Sequence, residues 1–122
     1  MKIAISSTGS DIDAQVDSRF GRCSYFIIYD TETEKTECIK NEGLGAMGGA
    51  GVLSAQTIIN KGVEILITGN VGPNAFYTLT SGGIKIYGGA TGTLKEVIDK
   101  YKKGELSELS DSSVPPHFGM NR

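Results

Sequence analysis

Val63-Glu64-Ile65-Leu66-Ile67-Thr68-Gly69-Asn70-Val71-Gly72-Pro73-Asn74-Ala75-Phe76 is the stretch on which the fold turns. Val63–Thr68 is a short, β-branched, apolar run that predicts a buried strand. Gly69–Gly72 is a turn opened and closed by glycine. Pro73 then suits the first position of a helix, because its fixed φ is helical and the amide it lacks has no partner there. Ala75, Phe76 and Leu79 recur on one face of that helix, and Gly82-Gly83 stop it. A strand, a glycine turn and a helix in this order make half of a β–α–β crossover.

The chain continues the pattern downstream. Ile84–Tyr87 reads as the next strand, and Thr93 with Glu96 fits a capping box. Leu94, Val97, Ile98 and Tyr101 keep the i, i+3, i+4, i+7 spacing of an amphipathic helix, closed by Gly104. Upstream, Lys2–Ser7 and Ser24–Asp30 read as two strands. Thr31–Lys35 turns the second into a third, Thr36–Asn41, which places Cys38 opposite Ile28. A helix over roughly 50–61 follows, with Val52, Ala55 and Ile59 on one face and Gly62 at its end. The order β-β-β-α-β-α-β-α predicts a five-stranded mixed sheet with helices on its faces, the ribonuclease-H-like α/β motif.

Bulk properties narrow the function classes. The chain's 122 residues suit one domain, expected over 1–104, with 105–122 as a loose tail carrying Pro115-Pro116 and His117. A formal charge of −2 with no long basic run argues against nucleic acid, where affinity rests on neutralising phosphates. No apolar run nears the roughly 20 residues of a membrane span. The N-terminus enters a strand pattern without signal-peptide architecture, so the cytoplasm is the expected location. There a disulfide between Cys23 and Cys38 is disfavoured, and both read as free thiols.

The strand directions carry the functional reading. If strands 1, 3, 4 and 5 run parallel, loops 8–15, 42–50, 69–73 and 88–92 gather at their C-terminal edge. Strand 2 runs the other way, which brings Arg19-Phe20-Gly21-Arg22-Cys23 to the same edge. Ligands of open α/β sheets favour that side. Gly43-Leu44-Gly45-Ala46-Met47-Gly48 spells G-x-G-x-x-G, but the strand before it closes a hairpin and the next strand ends in Thr68-Gly69 without an acid for a ribose. Two readings stand for this loop: a turn needing positive φ, or amides at a helix N-terminus facing an anion. The second glycine loop lacks Gly-Lys-Ser/Thr and is no P-loop. Arg19 and Arg22 could hold an anion and lower the pKa of the Cys23 thiol; equally, one arginine could pair with Asp17 and Cys23 be buried. Catalysis finds little support. The first strand has no carboxylate for a two-metal nuclease, and His117, the one histidine, reads as solvated in the tail.

Asp17–Cys23, the strand through Asp30, Gly48-Gly49-Ala50-Gly51 and Ile67–Ala75, with Gly83–Tyr87, together resemble the dinitrogenase iron–molybdenum cofactor biosynthesis family. This is the NifX-type domain also found at the end of NifB-type proteins. The resemblance spans roughly 1–104 and implies a non-enzymatic carrier for an iron–sulfur-type metallocluster or an iron–molybdenum cofactor precursor, with cofactor-assembly proteins as partners. Carried onto this sequence, it puts the binding site at Arg19, Phe20, Gly21, Arg22, Gly48, Gly49, Gly51, Gly69, Gly72 and Asn74, with Cys23 as the expected metal ligand. A phosphorylated-metabolite or nucleotide binder using the same edge, and a protein-interaction module, are the alternatives.

Overall fold

A computed structural model describes residues 1–44 and 49–112. The expected Gly48 and the tail residues from 113 on, His117 included, lie outside them. The described elements are strands β1 (Lys2–Ser7), β2 (Tyr25–Asp30) and β3 (Thr36–Lys40), helix α1 (Ala50–Asn60), β4 (Ile65–Ile67) and α2 (Pro73–Ser81). They continue with β5 (Lys85–Gly88), α3 (Leu94–Lys102) and β6 (Ser107–Glu108), and a single 3₁₀ turn covers Phe20–Arg22. They form one mixed sheet in the order β3-β2-β1-β4-β5-β6.

The sheet has six strands where the sequence predicted five. β6 pairs antiparallel with β5, matching Tyr87 to Glu108 and Gly88 to Ser107, inside the segment read as tail. No β pattern marks these two residues. Their pairing depends on Leu109, whose side chain fills the space a Cβ on Gly88 would need and whose N–H donates to the Ile86 carbonyl at 2.7 Å.

Strand alternation divides the core into two layers. On one face Ala4, Phe26, Ile28, Leu66 and Ile86 pack with α1 and α2 residues Ala55, Ile58, Ala75 and Leu79. On the other, Ile3, Ile5, Ile27, Tyr29, Ile65 and Ile67 pack with Leu94, Val97 and Ile98 of α3. A period of two on each strand and 3.6 on each helix gives this division directly. The buried face of α1 is Ala50, Ser54, Ala55 and Ile58 rather than the predicted Val52, Ala55 and Ile59. The sheet lies under the i, i+4, i+8 line from Ala50, which leaves Val52 and Ile59 half-buried.

The hairpin register is one residue from the expected one: Cys38 opposes Ile27, not Ile28. Asp30 sets it, because its carboxylate accepts the Glu32 N–H at 2.8 Å while its N–H donates to the Lys35 carbonyl at 3.0 Å. Glu34 completes the turn at φ 61°, the one non-glycine residue with positive φ among those described.

The capping box at α3 forms as predicted. Thr93 Oγ1 accepts the Glu96 N–H at 3.2 Å, and the Thr93 N–H donates to Glu96 Oε1 at 2.8 Å. Those bonds hold the Glu96 carboxyl below its usual range. Thr93→Ala is expected to lower the unfolding free energy by about 1 kcal/mol in urea titration, with an unchanged m-value. A change below about 0.3 kcal/mol would mean water replaces the cap at no cost.

Candidate functional site

The parallel strands bring their C-terminal ends to one edge, and two groups of loops gather there. Loops 8–15 and 88–92 meet on the α3 side, where the Val16 N–H donates to the Gly92 carbonyl at 2.9 Å and the Leu94 N–H to the Ala14 carbonyl at 3.0 Å. The glycine loops before α1 and α2 meet the 3₁₀ turn on the other side. Between them lies an open pocket of about 300 Å³ lined by Phe20, Gly21 and Arg22, by 49–52 and by 72–75.

Close backbone contact builds this pocket. A Cβ on Gly21 would stand 3.1 Å from Gly51 Cα, and a Cβ on Gly51 would stand 3.0 Å from Ala75 Cβ. The 3₁₀ turn, α1 and α2 therefore touch where any side chain would hold them apart. Both helices start without a side-chain cap: Gly49 (φ 71°) precedes α1 and Gly72 precedes α2. The N–H groups of a first helical turn have no acceptor within the helix and carry its partial positive charge. Ala50, Gly51 and Val52 of α1, and Asn74 and Ala75 of α2, occupy those positions; Pro73 has no N–H to offer. Arg22 is the single charged residue in the lining. It is exposed, and it makes no ion pair among the described residues. Chemically the pocket is an amide-lined hollow with one guanidinium at its wall, an arrangement suited to an anion.

The predicted residues divide. Phe20, Gly21, Arg22, Gly49, Gly51, Gly72 and Asn74 come together in the lining. Arg19 does not. Its Nε reaches Asp17 Oδ1 at 3.4 Å, with the Arg19 side chain 67% exposed and that of Asp17 9%. Gly69 is also outside the lining; it is pressed against Ser18, where its missing Cβ would come 2.5 Å from Ser18 Cα.

Cys23 departs furthest from expectation. It is fully buried, its thiol donates to the Phe20 carbonyl at 3.2 Å, and it is not part of the pocket lining. Burial, reinforced by the negative charge of Asp17, pushes the thiol up to about 12. Of the two readings of this segment, the structure fits the second: Arg19 is engaged with Asp17, and desolvation favours the neutral thiol of a buried Cys23 over one lowered by the arginines. Cys38 is exposed on the edge strand β3. Among the described residues no group of three or more His, Cys, Asp or Glu is placed to hold a metal ion.

Sequence reading missed Asn41, which is buried just past β3 and bonds to the carbonyls of Gly21, in the 3₁₀ turn, and of Cys23, just after it, and to Ser54 of α1. An asparagine just after a strand and two residues before a glycine signals an Asx turn, and the Gly43 N–H does donate to Asn41 Oδ1 at 2.9 Å. No local pattern announces its longer-range partners.

Comparison with known proteins adds a second line. The sequence profile of the family described as dinitrogenase iron-molybdenum cofactor matches residues 1–104. An uncharacterised protein of Methanocaldococcus jannaschii is 32% identical over 112 residues, covering 89% of this chain and 92% of that protein. Among solved structures, the apo form of the orange protein from Desulfovibrio gigas superposes with a TM-score of 0.89 at 32% identity, covering 92% of this chain and 95% of that one. A Thermotoga protein described as a NifB candidate gives 0.81 at 43% identity, covering 92% and 96%. No helix among the described residues is long and apolar enough to cross a membrane.

Proposed function

The chain belongs to the dinitrogenase iron-molybdenum cofactor family, and on that premise we propose that it is a non-enzymatic carrier that transiently holds an anionic metal–sulfide cluster, an iron–sulfur-type cluster or a precursor of the iron–molybdenum cofactor. The observation that carries this reading is the meeting of two uncapped helix N-termini and Arg22 around one pocket. Sulfide-bridged clusters are anionic and accept N–H hydrogen bonds at their sulfurs. First-turn amides of α1 and α2 meet that surface without side-chain competition, and Arg22 supplies the counter-charge. Held this way, the cargo keeps its own terminal ligands and leaves readily, as a protein that passes it on requires.

In this proposal Cys23 supports the floor of the pocket instead of ligating metal. Arg19 adds only long-range positive charge, partly cancelled by Asp17, and Gly69 shapes the rim. The cytoplasm is the proposed setting, with cofactor-assembly proteins as donors and acceptors of the cargo. The ribonuclease-H-like classification is proposed as well, supported by the run β3-β2-β1-β4-β5 within the sheet.

Anaerobic reconstitution with iron, sulfide and excess small thiol to cap the cluster tests the reading. Loading, followed by cluster absorbance and metal analysis, is expected to weaken about tenfold or more in Arg22→Ala, the loss of a charge-assisted contact. Arg19→Ala should shift it less than about threefold, as an exposed and already paired charge would, and Cys23→Ala should retain it. Loss of loading in Cys23→Ala alone would restore direct thiolate ligation. A protein that never loads, yet is thermally stabilised by a phosphorylated metabolite without metal, would end the cluster reading.

A further inference from the structure

The pocket depends on the 3₁₀ turn staying in register with α1, and among the described residues the Asn41 side chain is the one that bonds to both the turn segment and the helix. We infer that Asn41 is the positioning residue of the binding site, holding the Arg22 wall against the N-terminal half of α1. This rests on the carrier reading above for its functional consequence, but not for its geometry.

Asn41 Nδ2 donates to the Cys23 carbonyl at 2.9 Å and reaches the Gly21 carbonyl at 3.4 Å, and these two carbonyls bracket Arg22. The same amide comes within 3.6 Å of Cys23 Sγ. On its other side, Asn41 Oδ1 accepts the Ser54 hydroxyl at 2.7 Å, in the second turn of α1, and the Gly43 N–H at 2.9 Å. Asn41 itself is fixed by its backbone, whose N–H donates to the Ser24 carbonyl at 3.1 Å. One planar amide thus ties the carbonyls of the two residues flanking Arg22 to the helix whose first turn lines the same pocket.

The buried Phe20 ring and the Cys23 thiol bond to the Phe20 carbonyl anchor the turn to the core, but its backbone hydrogen bonds leave its register with α1 to other contacts. The Phe20 N–H reaches the Asn70 carbonyl at 3.2 Å and the Arg22 N–H reaches Arg19 at 3.2 Å. The first links the turn to the α2 loop, the second lies within the turn, and neither reaches α1. Gly21 and Gly51 touch without side chains, so their contact gives proximity but no direction. A hydrogen-bonded amide supplies the direction, because its donors and acceptor have fixed angles.

Asn41→Ala is compared with Val97→Ala, which removes buried volume in the core on the opposite face of the sheet. Amide hydrogen exchange on the ligand-free protein should show Arg22 and Phe20 losing about tenfold more protection in Asn41→Ala than in Val97→Ala, the effect of one lost hydrogen bond acting locally. The iron and sulfide concentration for half-loading should rise at least about fivefold in Asn41→Ala and less than about twofold in Val97→Ala. Equal loss of protection in the two variants, or equal shifts in loading, would overturn the inference. Should wild type fail to load at all, the carrier reading fails while the exchange comparison still decides the role of Asn41. If Asn41→Ala does not fold, Ser54→Ala cuts only the tie to α1. It should then cost Arg22 at least about threefold in protection, and no change there would overturn the inference equally.

Discussion

Gly69→Ala is expected to lower the melting temperature by more than about 10 °C, the cost of roughly 3 kcal/mol or more in a domain of this size. The methyl would stand 2.5 Å from Ser18 Cα and 2.8 Å from Ser18 carbonyl oxygen. Both are backbone atoms, so no rotamer change relieves the contact. Separating the two segments by the needed ångström breaks the Asn70 N–H bond to the Ser18 carbonyl, 2.7 Å long, and strains the Phe20 N–H bond to the Asn70 carbonyl. Each such bond contributes about 1 kcal/mol, and its loss adds to the overpacking. Gly72→Ala is the control: nothing lies within 4 Å of that Cβ, so the same change three residues on should leave stability nearly intact. Thermal unfolding of both variants checks the pair. A Gly69→Ala midpoint within about 3 °C of wild type would mean that residues 17–20 are not clamped to the β4–α2 loop, and the pocket wall they lead into would lose its support.

That clamp explains what the sequence did and did not disclose. β4, the glycine turn and Pro73 at the head of α2 are local signals, each readable from neighbours a few residues apart, and α3 announced itself through Thr93, Glu96 and its apolar spacing. The meeting of the 3₁₀ turn with two glycine loops followed from strand direction alone, since antiparallel β2 must begin where its parallel neighbours end. Contacts between residues distant in sequence were another matter. Asp17 chose Arg19 over Arg22 because the Arg19 N–H also donates to its carboxylate at 2.9 Å, fixing the two together. Ser6 in β1 and Thr68 just past β4 bond to each other through their hydroxyls at 2.7 Å, and Ser6 also donates to the Asp17 carbonyl at 2.7 Å. This buried triplet seats Asp17 at the sheet edge. Neither hydroxyl stood out in the sequence, because serine and threonine at a strand end are as common in solvent as in such pairs. β6 was hidden for a related reason: its pairing with β5 goes with Leu109 filling the space beside Gly88, not with a pattern in Ser107 and Glu108.

Thiol chemistry should separate the two cysteines by a wide margin. At pH 8 one equivalent of an aromatic disulfide reagent should react quickly, at Cys38. Cys23 should react at least about a thousandfold more slowly, its label appearing only as the protein unfolds. The margin has two sources. A thiol raised from 9.0 to about 12 holds roughly a thousandth of the usual thiolate at neutral pH, and the thiolate is the nucleophile. Burial then denies the reagent an approach that exposed Cys38 allows, although partial desolvation raises Cys38 as well. The same shift fixes a pH dependence. The folded state binds the Cys23 proton more tightly than the unfolded chain, so the associated stability is complete below pH 9 and is lost as pH rises toward about 12. Across that window wild type should lose up to about 1.4 kcal/mol per pH unit more than Cys23→Ala, read from urea midpoints at stepped pH. Equal labelling rates for the two thiols, or parallel alkaline profiles for wild type and Cys23→Ala, would mean that Cys23 opens to solvent and to the pocket. A thiolate there could meet metal directly, and the cargo would then be held by sulfur instead of by amides and Arg22.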